Sequence, residues 1–328
     1  ENKPPLYELA STITLLTTMA IARTFLFYLG ECKIKNDENY TNFLHCVVSR
    51  EKGRPLITVS NHRSLIDDPA VMSAILPIQL AIFPEYNRYS ICSQEYLFAS
   101  KLPSLLQAYG GLGRVLPIRR GGGVNQRLLL DYARLIAAGK WCHVFPEGGI
   151  WQTHQLGGRV QTMSSSTSSG DTVHNSTTNG SRDIGNHYTP TTITTTPTDK
   201  GSLKWGIGKL IAHSPVTPHI IPFFFMGTET AYPQHPVTKS ISNLLPLPGC
   251  KVDIRFGKEI NFHDIIQEHE EKYGKLWKYK SSKKQELKKP DSSEYNFHEY
   301  WNSKESDYIL YNKITLRIEN SLKELNKE

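Results

Sequence analysis

Residues 115–145 contain a strand, a helix and a second strand joined by short turns, and this unit narrows the possible folds more than any other stretch. Val115–Ile118 is short and apolar. Asn125 to Ala138 repeats apolar residues at helical spacing, with Leu128, Leu129, Leu135 and Ile136 on one stripe and Gly139 at its C-terminal end. Trp141–Phe145 is again short and apolar. A strand-helix-strand unit of this length brings its strands together in parallel, so the chain is expected to be α/β with a partly parallel sheet flanked by helices.

A second strand-to-helix junction lies upstream. Leu56 to Ser60 reads as a buried strand, and Asp68-Pro69 reads as an N-cap with proline at the first helical position, opening a helix over Ala70–Leu76. His62 then falls on the turn and Asp67 just before the helix. A carboxylate on one ring nitrogen leaves the other free to act as a general base. From these two residues alone, a catalytic pair and an ordinary turn with a helix cap stand level.

Two further segments share that address, each after an apolar strand. Arg119-Arg120 precede Gly121-Gly122-Gly123, and Glu147-Gly148 follow Phe145-Pro146. If the strands lie side by side, these ends meet at one edge of the sheet, where open α/β folds bind ligands. An arginine fork beside glycines suits a phosphate, though a solvated basic turn has the same composition. Glu147 suits an arginine or a substrate hydroxyl. The glycines form no GxGxxG at a strand-to-helix turn. No GxxxxGK[ST] and no GxSxG occurs either, so nucleotide binding and a serine hydrolase are not supported.

The remaining chain sets the surroundings. Leu6 to Leu29 carries only Glu8 and Arg23 as charges, and its length matches the roughly 20 residues a bilayer requires. A membrane span, an interfacial helix and a buried core helix all fit, with membrane contact favoured. Residues 153–200 are dominated by Ser, Thr, Gly and Asn and are expected to be a disordered insertion. Residues 272–302, rich in Lys, Ser and Tyr, are expected to be a second, poorly ordered one. Phe43–Val48 reads as a hairpin-like segment. The net charge of +7 permits an anionic partner, but no basic run interleaved with aromatics points to nucleic acid. The five cysteines, Cys32, Cys46, Cys92, Cys142 and Cys250, form no CxxC pair, so neither a disulfide framework nor a zinc motif is expected.

Asn61-His62-x4-Asp67 together with Phe145-Pro146-Glu147-Gly148 is similar to the pattern of the glycerolipid acyltransferase superfamily. Gly113 with Arg119/Arg120 between them, and Ile220-Ile221-Pro222 beyond, fit that family's four-block order. More narrowly, Asn61-His62-Arg63-Ser64-x-x-Asp67-Asp68-Pro69 and Lys204-Trp205-Gly206-Ile207-Gly208-Lys209-Leu210-Ile211-Ala212 resemble one branch, the transacylases that remodel cardiolipin. The resemblance runs from about residue 10 to 230. It departs where residues 153–200 replace a short connector. It implies one acyltransferase domain over 31–328, interrupted by the two insertions, with a membrane-associated helix at 1–30. It also implies His62 as general base oriented by Asp67, and Asn61, Arg119 or Arg120, Glu147 and Gly148 holding the lipid phosphate and glycerol. The implied substrates are a phospholipid and a lysophospholipid at a membrane surface, without cofactor or metal. The implied location is a mitochondrial membrane, the outer one or the inner one facing the intermembrane space, with the protein peripheral or monotopic. An acyl-CoA-dependent acyltransferase and a catalytically silent membrane-binding protein are the alternatives.

Overall fold

The computed structural model describes residues 4–152, 202–235, 238, 240–241, 243, 245–277 and 300–327. The expected insertion at 153–200 lies outside the described residues. So does the middle of the one expected at 272–302, whose two ends are packed: Leu276 and Trp301 are buried in the core.

One seven-stranded sheet forms the centre, in the order β1-β7-β6-β2-β5-β3-β4. Its strands are β1 (Glu31–Ile34), β2 (Leu56–Ser60), β3 (Tyr89–Ser93), β4 (Val115–Ile118), β5 (Trp141–Val144), β6 (His219–Met226) and β7 (Lys251–Phe256). Every neighbouring pair is parallel except β6 with β7. The mixed, largely parallel α/β sheet expected from the sequence is therefore present, and β2, β5 and β4 end on the same edge.

Strands buried on both faces need apolar residues at both parities. In β6, Ile220 and Phe224 point to one core, while Ile221, Phe223 and Phe225 point to the other. The first core is closed by α6 (Arg127–Ala137), α7 (Gly206–Ala212) and α9 (Glu305–Lys327). The second is closed by α1 (Pro5–Tyr28), α2 (Glu38–Ser49) and α3 (Met72–Ile75). Two short helices, α4 (Gln94–Leu97) and α5 (Ser104–Leu112), join β3 to β4, and α8 (His263–Tyr273) follows β7.

The structure corrects several local expectations. Phe43–Val48 is no hairpin but part of α2, whose N-terminus is capped by the Asp37 carboxylate accepting from the Tyr40 N–H at 3.1 Å. Phe43, Cys46 and Val47 then form one buried helical stripe, which a short apolar run conceals. The edge strand β1 was not anticipated, because only alternate residues of Glu-Cys-Lys-Ile face the core. Asp68 does not cap a helix. The chain passes instead through a π-helical turn, Asp67–Val71, before α3, and Asp68 accepts from Arg88 at 2.7 Å and Ser90 at 3.1 Å.

Helix α1 is fastened to the domain along its length by polar contacts. Tyr7 and Ser11 donate to the carbonyls of Gly111 and Leu112, and Arg114 pairs with Glu8 at 2.9 Å. Further along, Arg23 donates to the carbonyls of Ser73, Ala74 and Leu76, which α3 leaves without partners. The opposite side of α1 is apolar and open: Leu6, Leu9, Ile13, Ile21 and Phe27 are exposed.

Candidate active site

Strand β2 delivers His62 to the sheet edge two residues beyond its last paired residue, Ser60. The Asp67–Val71 π-turn folds Asp67 back beneath it, and the two side chains meet at 2.8 Å, His62 Nδ1 to Asp67 Oδ2. The same oxygen accepts the backbone N–H groups of Arg63 at 2.5 Å and Ser64 at 2.7 Å. The Thr228 hydroxyl donates to Oδ1 at 2.6 Å. Asp67 is fully buried, so these four donors replace the water a carboxylate would otherwise hold.

This arrangement sets the state of the histidine. A carboxylate accepts and cannot donate, so Nδ1 of the neutral ring carries the proton and Nε2 carries the lone pair. Among the described residues no hydrogen bond reaches Nε2, and the side chain is 20% exposed. The ring lies against Phe145, centroids 4.3 Å apart and planes 19° apart, which fixes its tilt. A base held in one tautomer and one orientation, with its free nitrogen toward solvent, can take a proton from a hydroxyl or an amine.

The loop after β5 clamps the backbone of His62 from both sides. Glu147 Oε1 accepts its N–H at 2.7 Å, and Trp151 N–H donates to its carbonyl at 2.9 Å. Glu147 is 3% exposed, so it serves the histidine-bearing turn, a use not foreseen for it. Gly148 adopts φ +67°, and the stem of Lys204 lies over it, so a Cβ there would stand 2.9 Å from Lys204 Cγ. The two blocks around residues 147 and 204 thus meet at the mouth of the site.

The two arginines separate. Arg120 stacks its guanidinium over the Tyr96 ring at 4.7 Å and reaches the Gly149 turn. Arg119 contributes its backbone N–H to Gln126 at 2.9 Å. Arg120 thus reaches the loop that carries Glu147 and Gly148. Asn61 is removed from the open surface. It is fully buried, and its amide bridges to β6, donating to Phe225 O at 2.8 Å and accepting from Phe225 N–H at 3.0 Å. It locks β2 to β6 beneath the histidine and has no polar atom left for substrate, contrary to expectation.

Thr228 and Phe145 are the contributors that sequence reasoning missed as site residues. Thr228 follows Gly227, which takes φ +103° where a Cβ would fall 1.7 Å from Lys251 O. That tight turn after β6 aims the hydroxyl at Asp67. A second histidine, His143, lies fully buried beneath the site, bonded to Thr58 Oγ1 at 2.9 Å. Burial holds its pKa well below the usual histidine value, with the charges of Arg88 and His62 adding to the effect, so it stays neutral.

Comparison with known proteins identifies the family. A family model described as Acyltransferase matches residues 32–226, which include every residue of the site except Thr228. Over 231 residues the chain is 29% identical to an N-acylphosphatidylethanolamine synthase of Arabidopsis thaliana, covering 70% of this chain and 64% of that protein. It is 24% identical over 265 residues to tafazzin of Drosophila melanogaster, covering 81% and 55% of the two chains. It is 25% identical over 325 residues to tafazzin of Saccharomyces cerevisiae, covering 88% and 71%. The matches span less than two thirds of the first two relatives. The tafazzins are the branch that the Lys204–Ala212 segment resembles.

Proposed function

The chain belongs to the acyltransferase family, and we propose that it acts there as a phospholipid–lysophospholipid transacylase, with monolysocardiolipin as acceptor. The observation that carries this reading is the His62–Asp67 pair at 2.8 Å, with Nε2 open. His62 Nε2 takes the proton of the lysophospholipid hydroxyl as that oxygen attacks the acyl carbonyl of a donor phospholipid. The tetrahedral intermediate collapses, the donor's glycerol oxygen leaves, and protonated His62 returns the proton to it. Asp67 stabilises the imidazolium through both half-steps. Because one ester replaces another, the step is reversible and consumes nothing. Arg120, with Lys204 beside it, supplies positive charge for the lipid phosphate. Asn61, Glu147 and Gly148 shape the edge.

The exposed apolar side of α1, with Leu105, Leu106 and Tyr109 on α5, supports placement in one leaflet. A helix long enough to cross a membrane is here fastened to the domain at both ends, which favours lying in the interface over spanning. The resemblance to tafazzin supports a mitochondrial membrane as the proposed site of action.

A second reading follows from the plant relative: an amine in place of the hydroxyl, giving an amide. The test is a labelled-acyl assay on vesicles with CoA rigorously removed. Transfer from phosphatidylcholine to monolysocardiolipin, lost in His62→Ala, is the expected result. A requirement for acyl-CoA would replace the donor, and an alkali-stable amide product would replace the acceptor. Turnover unchanged in His62→Ala would favour a silent membrane-binding protein.

A further inference from the structure

Three metal-binding donors from distant parts of the chain meet at the end of the sheet opposite His62. His219 is the first residue of β6, paired in register with Leu56 at the start of β2. The length of β2 therefore separates this place from the His62 turn, about 13 Å at the usual rise per residue. The alternation of β6 turns His219 to the face that carries Ile221 and Phe223. Helix α2 covers that face, and its buried stripe includes Cys46, 2% exposed.

The third donor arrives because the chain beyond β7 stays zipped to β6. Gly257 N–H donates to Pro222 O and Ile260 N–H to Ile220 O, both at 2.8 Å. Between those bonds sits Glu259, whose Oε1 lies 2.8 Å from His219 Nδ1. One thiol sulfur, one imidazole nitrogen and one carboxylate oxygen all fall within 4.8 Å of one another.

We propose that Cys46, His219 and Glu259 bind one zinc-class divalent ion at this end of the sheet. Tetrahedral zinc with bonds of about 2.0–2.3 Å sets its ligand atoms roughly 3.3–3.6 Å apart, so small side-chain movements close the site. A mixed sulfur, nitrogen and oxygen set suits a borderline ion rather than magnesium or calcium. A thiolate and a carboxylate together balance its two positive charges, and the thiol proton leaves to solvent as the ion binds. Glu259 also lines a cavity of about 500 Å³, together with Arg54, Thr217 and Pro218, and a water would complete the proposed tetrahedron. Arg54 brings positive charge to that wall, but its Nε donates to the Thr217 carbonyl at 3.2 Å. The bound ion would clasp α2, β6 and the chain after β7 together without touching the acyl-transfer site.

The experiment uses the full chain, reduced and stripped with chelator, titrated with Co²⁺ and then Zn²⁺. The expected result is one equivalent of ion with a near-ultraviolet cobalt–thiolate band that zinc abolishes. Cys46→Ser loses the band, and Glu259→Gln, a partly exposed and conservative change, weakens zinc at least tenfold while keeping acyl transfer. Zinc should also raise the melting temperature of the parent and not of Glu259→Gln. No bound equivalent at micromolar zinc overturns the proposal. So does an unchanged cobalt band in Cys46→Ser, or equal zinc affinity in Glu259→Gln.

Discussion

Asp67→Asn separates what the carboxylate does by shape from what it does by charge. The side chain is fully buried, with three N–H donors aimed at Oδ2 and a hydroxyl at Oδ1. An amide fits that cage in one orientation. Its oxygen takes the Oδ2 position and keeps His62, Arg63 and Ser64, while its NH₂ donates to the Thr228 hydroxyl. The histidine tautomer and orientation are then retained, and only the negative charge is removed. That charge matters when His62 becomes an imidazolium. Two unit charges about 4 Å apart interact by roughly 4 kcal/mol at an effective dielectric of about 20. At about 1.4 kcal/mol per tenfold in rate, Asp67→Asn should slow transfer about a thousandfold. The assay is labelled acyl transfer at saturating lipid, with melting temperature and circular dichroism recorded on the same preparation. A folded Asp67→Asn protein within about tenfold of the parent rate would refute the electrostatic role.

Arg120→Ala should raise the apparent KM for phospholipid at least tenfold, since a charge-assisted contact to phosphate is lost, while Arg119→Ala changes it less than threefold; equal effects would contradict the assignment of the phosphate contact to Arg120, which reaches the Gly149 turn. Gly227→Ala forces a Cβ to 1.7 Å from a backbone oxygen at φ +103°, so urea unfolding should register a loss of more than about 3 kcal/mol. A loss below about 1 kcal/mol would show that the turn yields. His213, bonded to the Tyr311 hydroxyl, has its pKa lowered to about 4 by burial and then by Lys209. The unfolded chain therefore binds this proton first as pH falls, and stability should drop by about 1.4 kcal/mol per pH unit between 6.5 and 4. His213→Gln should flatten that part of the urea-derived stability curve, and an unaltered slope would assign it elsewhere.

Much of the sheet is legible in the sequence because several strands, the edge strand β4 among them, are short apolar runs. Leu56–Ser60, Val115–Ile118 and His219–Met226 need no tertiary information to be recognised. The edge strand Glu31–Ile34 was hidden by its alternating charges, and α2 by an apolar run that reads equally well as strand. At the site, the His62–Asp67 pair is legible because both partners lie in one turn. Thr228 is 161 residues from Asp67, and no spacing rule links them. Glu147 and Asn61 carry the opposite lesson. Their identities stand out in the sequence, but which neighbour takes their polar atoms is decided by pairing between β2, β5 and β6.

The fastening of α1 also bears on which property of a bilayer the protein would sense. Tyr7 near one end and Arg23 near the other are bonded to the same body that carries His62. The helix has no freedom to tilt in response to thicker or thinner hydrocarbon, so hydrophobic mismatch is not transmitted to the site. On the proposed membrane placement, what would remain variable is how deeply one apolar face sinks between headgroups. That depth follows lipid packing and curvature, which makes highly curved membrane the surface such a protein would grip most firmly.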